Sequence, residues 1–287
     1  MINSLIGTDP EFLVINPQSK KCVSAVDILQ GKNLNGEFGT DGNSRTFELR
    51  PKPDTDPFIL VNNIYKLFKK NLNGGIFDYL DVYTHSTYES ELATGGHIHL
   101  EIPKEVYKNN LEVFIDNNYI SLVNYISFPL FLIDSYKHKI NRIVNIGYGN
   151  LYDYRHQTWG IELRAPGNWL GSPHIAATAL CLAKMVSYEL FNNSVNLQYK
   201  KEIEYRDSLY KFDETKKLVN LYNEKIRPDL MNMKLYPLYK TQINTINYLI
   251  DNGLCWYTKK NFKESWGLTP TKPIQNKFNT TLESIWS

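Results

Sequence analysis

The sequence predicts an α+β fold, in which an antiparallel sheet of short strands is combined with separate helices. Four short segments place ionisable residues at every second position with mostly apolar residues between them, which is typical of strands with one packed and one wet face. Two longer segments, which open at Pro57 and Pro173, have the boundaries and apolar content of helices. The part after about residue 195 contains helical segments but no further strand of this kind.

Composition limits the class of protein. The 287 residues are 42% hydrophobic and 22% charged, which is a globular and not a disordered composition. The net charge of +2 is too small for a nucleic-acid partner. The longest apolar run, 128–133, is too short for a membrane span, and no signal peptide is evident at Met1. Three scattered cysteines favour a reducing compartment, so we expect a cytoplasmic protein without a membrane partner.

The first half of the chain alternates strands and one helix. Residues 5–16 read as a strand in which Pro10 marks a start, an edge or a bulge, and 22–28 as the returning strand. A strand over 46–50 precedes the helix that begins at Pro57 and ends before Asn73, and 79–86 suits another strand.

The second half has two strands and longer helical stretches. Gly95-Gly96 leads into a strand that carries His97, His99 and Glu101, and a second strand covers 158–166. Between them, 105–133 reads as helical with an interruption near Pro129, and 141–158 as an ordered loop. The helices predicted after this strand cover 174–192, 214–226 and 241–251. We therefore predict one domain over 1–195 and a helical C-terminal subdomain over 196–287 that packs on it.

The four strands share one chemistry. They carry Asp9 and Glu11, Glu48 and Arg50, His97 and His99, and Glu162 and Arg164. Each pair alone is typical of a solvated sheet face, but together they contain Asp, Glu, His and Arg and no Lys. Carboxylates and imidazole bind metals, and arginine binds phosphate. This donor set suits Mg²⁺ or Mn²⁺ better than zinc, and it predicts a divalent-metal site for nucleotide chemistry on an antiparallel sheet.

A zinc hydrolase built on the H-x-H strand is the main alternative from the residues alone. Such sites usually need a third histidine or a cysteine. The remaining histidines, at 85, 138, 156 and 174, lie in no matching motif.

The order of five motifs resembles the carboxylate–amine ligase superfamily, which includes glutamine synthetase and the γ-glutamylcysteine ligases. The motifs are Gly-Thr-Asp-Pro-Glu-Phe, Asp-Gly…Phe-Glu-Leu-Arg-Pro, Gly-Gly-His-Ile-His, Arg…Tyr-Gly…Asp-Tyr-Arg and Gly-Ile-Glu-Leu-Arg-Ala-Pro, within residues 5–192. The likeness is strongest to the phage-encoded COOH–NH2 ligases of type 2. It implies a glutamine synthetase-like curved antiparallel sheet with helices on its outer face and the active site on the concave face.

The resemblance also implies a reaction and its residues. ATP phosphorylates a carboxylate, and an amine attacks the acyl phosphate to give an amide. Glu11, Glu48 and Asp41 resemble the ligands of one Mg²⁺ or Mn²⁺ ion, and Asp9, His97 and Glu162 those of a second. The residues that resemble contacts to phosphate, nucleotide or substrate carboxylate are Arg164, Arg142, Arg155, Arg50 and His99.

The partners implied are a carboxylate and an amine, either small molecules or peptides, and the location is the host cytoplasm if the chain is phage-encoded. The identity of both substrates and the oligomeric state stay open. Asp9 departs from the pattern, since many relatives have Glu there. A nucleotide-binding protein that keeps the fold without catalysis is a second alternative, against which the near-complete set of acidic, His and Arg residues argues.

Overall fold

The computed structural model describes residues 2–31, 34–192, 197–256 and 261–272. In these ranges the strands are β1 (Ile6–Thr8), β2 (Glu11–Ile15), β3 (Phe38–Thr40), β4 (Phe47–Leu49), β5 (Asp81–Tyr83), β6 (Thr87–Tyr88), β7 (Leu92–Ala93), β8 (Ile98–Glu101), β9 (Tyr154–Gln157) and β10 (Gly160–Leu163). The helices are α1 (Ala25–Ile28), α2 (Pro57–Leu72), α3 (Lys104–Tyr107), α4 (Leu111–Leu122), α5 (Phe128–Leu132), α6 (Tyr136–Ile140), α7 (Pro173–Asn192), α8 (Phe212–Leu221), α9 (Arg227–Asn232), α10 (Tyr236–Asp251) and α11 (Phe262–Ser265). This content of helices and antiparallel strands confirms the α+β class.

Two four-stranded antiparallel sheets carry the fold. The first has the order β1-β8-β10-β9 and the second the order β3-β4-β2-β5, and β6 pairs with β7 in a separate hairpin. The chain passes from the first sheet to the second at Asp9-Pro10, between β1 and β2. Because proline lacks an N–H and cannot donate to a neighbouring strand, the strand predicted over 5–16 is divided there.

Helices α2 and α7 cover the first sheet through contacts with β1, and α7 also contacts β8. Helix α2 begins where predicted, because the Asp56 side chain accepts a hydrogen bond from Phe58 N at 2.8 Å and Pro57 occupies the first turn. Helix α7 is buried along most of its length and packs on α2 and α10. The first sheet therefore has helices behind it and leaves its other face for the site.

Aromatic side chains fill the core beside the second sheet. Phe12 and Phe47 stack with ring centroids 5.3 Å apart, and Phe68 of α2 meets Phe12 edge-on at 5.8 Å. All three side chains are fully buried. Each contributes about 1.5–3 kcal/mol to folding by leaving water, and this packing ties the second sheet to α2.

The C-terminal part shares this hydrophobic core. Trp266 donates from Nε1 to Leu170 O at 2.7 Å, and Phe262 lies edge-on to Phe68 at 5.0 Å. The helices predicted near 214–226 and 241–251 are present as α8, its π-helical continuation Tyr222–Ile226, and α10. The division at residue 195 stays a prediction, and residues 193–196, 257–260 and 273–287 of that region lie outside the described residues.

Three local predictions were wrong. Residues 22–28 form a single bridge to Ile15 and then α1, because the Ser24 hydroxyl accepts from Asp27 N and starts a helical turn. The helical stretch predicted over 105–133 is broken between α3 and α4, where Lys108 has a positive φ, and not at Pro129, which sits in the first turn of α5 after a π-helical turn over Val123–Ser127. The predicted loop over 141–158 begins instead with a π-helical turn over Asn141–Asn145 and ends with β9.

No helix in the described part of the chain combines the length and the apolar character that a membrane span requires.

Candidate active site

Two clusters of acidic and imidazole groups lie at the junction of the sheets. We call Asp9, His99 and Glu162 the imidazole group, and Glu11, Asp41 and Glu48 the carboxylate group. Within each, one ligand-type atom per residue lies within 4.8 Å of the others. The structure thus brings together the three residues predicted for one metal, and it groups Asp9 and Glu162 with His99.

Strand register explains both groups. His99 of β8 lies opposite Gly7 of β1 on one side and opposite Glu162 of β10 on the other, and Asp9 follows β1 directly. In the second sheet, Glu11 of β2 lies directly opposite Glu48 of β4. Like charges placed opposite each other in neighbouring strands repel, so the register itself creates an electrostatic demand for a cation or a proton.

Two members of the carboxylate group, Glu11 and Glu48, are buried, whereas Asp41 is exposed. Burial raises the pKa of Glu11 above its ordinary value, although Gly95 N donates to its Oε2 at 2.6 Å. Burial and the charges of Asp9, Asp41 and Glu11 raise the pKa of Glu48 to about 9, and the nearby Arg50 does not outweigh them. Arg50 Nη2 lies 2.5 Å from Glu48 Oε1.

The imidazole group is better compensated. Burial alone would raise the pKa of Asp9, but hydrogen bonding and the charges of His97 and His99 outweigh burial and hold it well below its usual range. His97 Nδ1 lies 3.1 Å from Asp9 Oδ1. Burial works against protonation of His97, yet Asp9 and the other nearby carboxylates raise the pKa of its ring above the ordinary value. Asp9 and His97 thus stabilise each other's charged forms.

His97 and His99 differ in the availability of their nitrogens. His97 uses Nδ1 toward Asp9 and Nε2 toward the Tyr148 hydroxyl. His99 Nε2 is buried and lies 3.1 Å from Asp9 Oδ1, yet among the described residues it has no partner in hydrogen-bond geometry. The nitrogen without a hydrogen bond is therefore that of His99. The sequence predicted His97 as the metal ligand and His99 as the residue beside the phosphates, and both assignments stay predictions.

Glu162 is held by three side chains of the first sheet. Gln157 Nε2 donates to Glu162 Oε2 at 2.7 Å, and Arg155 Nη1 lies 3.4 Å from the same oxygen. Arg164 Nε lies 3.4 Å from Glu162 Oε1, outside hydrogen-bond geometry. Two arginines thus offset the charge of this buried carboxylate, and the Gln157 amide donates a hydrogen bond to it.

The two glycines before His97 are required by close approach. A side chain on Gly95 would begin 2.6 Å from His97 Nε2, and one on Gly96 would begin 2.3 Å from Trp169 Nε1. Gly95 also donates to the Glu11 carboxylate and accepts from Glu11 N at 2.9 Å. The Gly-Gly-His motif therefore joins the two groups through its backbone.

The predicted arginines occupy different environments. Arg142 is buried, donates to Ala165 O at 2.8 Å and to Arg164 O at 3.2 Å, and lies with its guanidinium carbon 4.9 Å from the centre of the Tyr148 ring. Arg164 lies 5.5 Å from the same ring. The Nε atoms of both are buried and lack hydrogen-bond partners within the described residues. Arg155 is largely exposed.

Arg50 is fixed by the loop before β3 and by β3 itself, because it donates to Gly36 O and Thr40 O at 2.9 Å each. It lines a cavity of about 400 Å³ that also includes Asp9 and His99. The predicted residues of the first sheet thus border an open space.

Sequence reasoning missed Tyr148, Gln157 and Trp159. Tyr148 lies between two arginines and bonds His97, and burial raises its pKa. Its Tyr-Gly motif was visible in the sequence, but a role for the hydroxyl was not. Gln157 is the last residue of β9, which lies in the predicted loop over 141–158, and Trp159 lies in the turn before β10, where no spacing rule applies.

The residues present fit divalent cations. The carboxylate group offers two buried carboxylates with raised pKa values. The imidazole group offers two carboxylates and a buried imidazole nitrogen that makes no hydrogen bond among the described residues. A hard cation would satisfy both sets of donors.

Comparison with known proteins gives a family. No curated protein matches this chain. Among the solved structures, a bifunctional glutathione synthetase from Pasteurella multocida matches with 9% identity and a TM-score of 0.39 over 98% of this chain; the chain spans about half, 49%, of that protein. The sequence model of the phage phiEco32-like COOH–NH2 ligases of type 2 matches residues 6–268. The chain therefore belongs to the phage phiEco32-like COOH–NH2 ligase family, type 2.

Proposed function

We propose that this chain is an ATP-dependent carboxylate–amine ligase that forms an amide through an acyl phosphate. The observation that carries the proposal is the pairing of two groups of cation-type donors with arginines on neighbouring strands. Phosphoryl transfer needs charge neutralisation and alignment of the reacting groups more than covalent help from the protein, and such a set of residues provides both.

The two groups are the candidate holders of Mg²⁺ or Mn²⁺, two or more ions in all. The carboxylate group would supply oxygen ligands only, and the imidazole group two carboxylates and a ring nitrogen. Within the imidazole group we favour His99 as the nitrogen ligand, because its Nε2 approaches Asp9 Oδ1 at 3.1 Å without hydrogen-bond geometry, whereas both nitrogens of His97 have hydrogen-bond partners. Bound cations would neutralise the charge of the polyphosphate and the carboxylate.

The arginines divide into two roles in this proposal. Arg164 and Arg155, which lie beside Glu162, would contact the transferred phosphoryl group or the substrate carboxylate. Arg142 would position Tyr148 and the end of β10, since it is buried and donates to two backbone carbonyls there. Arg50 would contribute positive charge at the cavity while it pairs with Glu48.

The zinc-hydrolase alternative has less support in the geometry. The other histidines engage elsewhere: His85 Nδ1 lies 3.2 Å from His138 Nε2, His156 Nε2 lies 3.2 Å from Asp116 Oδ1, and His174 Nε2 lies 3.1 Å from Thr245 Oγ1. Neither group of candidate ligands within the described residues contains a second histidine or a cysteine.

Further parts of the proposal follow from the family. The sheets are taken to form a concave, glutamine synthetase-like surface that faces the reaction, with residues 196–287 as a subdomain that packs on it. The partners are a carboxylate and an amine, as small molecules or peptides, and the place of action is the cytoplasm.

The proposal is tested with hydroxylamine in place of the unknown amine. Hydroxylamine attacks an acyl phosphate at its carbonyl carbon, expels phosphate and leaves a hydroxamate. With ATP, Mg²⁺ and a panel of amino acids and short peptides as carboxylates, we expect ADP and hydroxamate in equal amounts with one class of carboxylate. If neither product appears with any carboxylate, and nucleotide does not bind with Mg²⁺, the ligase proposal fails.

Glu162→Ala tests the assignment of the site. We expect the rate of ADP release to fall at least about 100-fold, because a ligand-type carboxylate and the partner of two arginines are lost together. Glu105→Ala removes an exposed carboxylate of α3 and serves as the matched control. Unchanged turnover in Glu162→Ala would contradict the assignment of the site while leaving the activity itself untouched.

A further inference from the structure

The cavity beside the imidazole group is a trough whose floor is made by two strands. Gly7 of β1 lies opposite His99 of β8, and both line the trough. A Cβ atom on Gly7 would lie 3.3 Å from His99 Cβ and 3.5 Å from Pro53 Cβ. Because Gly7 has no side chain, the floor stays low at this point and a flat group can approach the strands.

The two sides of the trough are apolar. Pro53 and its neighbour Pro51 stand beside β1, and Trp159 stands at the start of β10. The Trp159 ring lies 5.2 Å from the His99 ring at an interplanar angle of 40°, and 38% of the residue is exposed. Its carbonyl accepts from Ile102 N at 3.0 Å, which fixes its backbone against β8. An exposed indole fixed in this way is a surface on which a planar ring can stack.

The trough has a charged end and an apolar end with one carboxylate. The charged end contains Asp9 and His99 of the imidazole group, and the other end contains Leu5 and Glu101. Since side chains two residues apart in a strand are roughly 7 Å apart, His99 and Glu101 are separated by the space that a ribose would need. Polyphosphate would therefore lie at one end and a base at the other.

Glu101 is held for recognition by its neighbour. Leu5 N donates to Glu101 Oε2 at 3.0 Å, and Glu101 N donates to Leu5 O at 3.2 Å. A carboxylate fixed at the end of an apolar trough accepts hydrogen bonds from N–H donors and repels carbonyl oxygens. It thus suits a base that presents an amino group at its edge.

We propose that this trough binds the adenine of the nucleotide, with Trp159 stacked on the ring and Glu101 accepting from the exocyclic amino group. The inference rests on the proposed function, since it takes the ligand to be ATP or ADP. It assigns residues to nucleotide choice: a 6-oxo purine would turn a carbonyl oxygen toward Glu101.

Trp159→Ala tests the stacking by calorimetric titration with ADP and, separately, pyrophosphate, each with Mg²⁺. Loss of a base–aromatic stack weakens binding by about 5- to 150-fold. We therefore expect a loss of this size for ADP and an unchanged affinity for pyrophosphate. Tyr248→Ala, which removes an exposed aromatic side chain of α10 that does not line the trough, is the control and should leave both affinities unchanged.

Glu101→Gln tests the choice of base with ADP against IDP, which carries oxygen in place of the amino group. The wild type should prefer ADP by roughly 10-fold, and the variant should bring the ratio near one, because glutamine can both donate and accept. Glutamine can still accept the Leu5 hydrogen bond, so the fold of β1 is preserved.

The outcomes separate the two proposals. A wild type that binds neither ADP nor pyrophosphate contradicts the proposed function. A wild type that binds ADP no more tightly than pyrophosphate, or a Trp159→Ala variant that loses both ligands equally or neither, overturns the adenine site and leaves the proposed function in place. An ADP-to-IDP ratio that Glu101→Gln does not change overturns the role of Glu101.

Discussion

The carboxylate group and the imidazole group present the same type of ligand in opposite electrostatic states. In the carboxylate group, burial and mutual repulsion raise the pKa of Glu48 to about 9, so a proton is retained at neutral pH. In the imidazole group, His99 and the neighbouring His97 hold the pKa of Asp9 far below its usual range. In the imidazole group the neighbouring histidines thus offset part of the carboxylate charge, whereas in the carboxylate group two buried carboxylates lie opposite each other and Arg50 alone does not balance them.

Of the three variants that follow, Glu48→Gln should change the free energy of unfolding most, and it should stabilise the metal-free protein. The unfolded chain ionises near the ordinary pKa of 4.5, whereas the folded chain holds the proton to about 9. Between these values the folded state binds more protons, so the free energy of unfolding falls as pH rises. We expect the variant to gain a few kcal/mol at pH 8 and almost nothing at pH 4.

Urea unfolding of both proteins at the two pH values, with a chelator present, measures this difference. A gain of equal size at pH 4 and pH 8 would show that the effect is one of packing and not of ionisation.

Asp9→Asn should change the free energy of unfolding in the opposite direction and by less. Since the folded pKa of Asp9 is lowered, its ionised form contributes stability above the unfolded value of 3.8, and this contribution is lost as pH falls toward the folded value. We expect a loss of about 1–3 kcal/mol at pH 7, because His97 and His99 lose their charged partner. Urea unfolding at pH 7 with a chelator measures it, and a variant more stable than the wild type would reverse the comparison.

Tyr148→Phe should have the smallest effect. It removes the hydroxyl that bonds His97 Nε2 and keeps the ring that Arg142 and Arg164 face. We expect a loss of about 1 kcal/mol in the free energy of unfolding. In NMR titration of the His97 ring the apparent pKa should stay above the ordinary value, because Asp9 remains. A fall to the ordinary value would assign the charge balance to Tyr148 and not to Asp9.

The sequence predicted much of the fold because local signals agreed with tertiary packing. Asp56 and Pro57 start α2, and Pro10 divides the first strand, since both effects depend on local backbone chemistry. The strand predicted over 22–28 was wrong because a short apolar segment suits either a strand or a helical turn, and the cap at Ser24 decides between them. The π-helical turn at Asn141–Asn145 has no sequence signature that we could use.

The candidate site was likewise predicted only where local sequence signals determine it. Strand periodicity predicts that His97 and His99 share a face, but it does not predict which ring nitrogen is already occupied by Asp9 or Tyr148. Gln157 belongs to β9, which lies in the predicted loop over 141–158, and Trp159 reaches the site from the turn between β9 and β10, where no periodicity applies. Motif order placed the carboxylates, and contacts between distant segments determined their charge states.

Binding of divalent cations by the two groups is tested most directly by counting bound Mn²⁺. Titration of the wild type with ADP present, followed by electron paramagnetic resonance of free Mn²⁺, should give two ions per chain. Glu48→Gln and Asp9→Asn should each lose one ion and keep the other, because they belong to different groups. Two ions retained in both variants, or none bound by the wild type, would contradict the account.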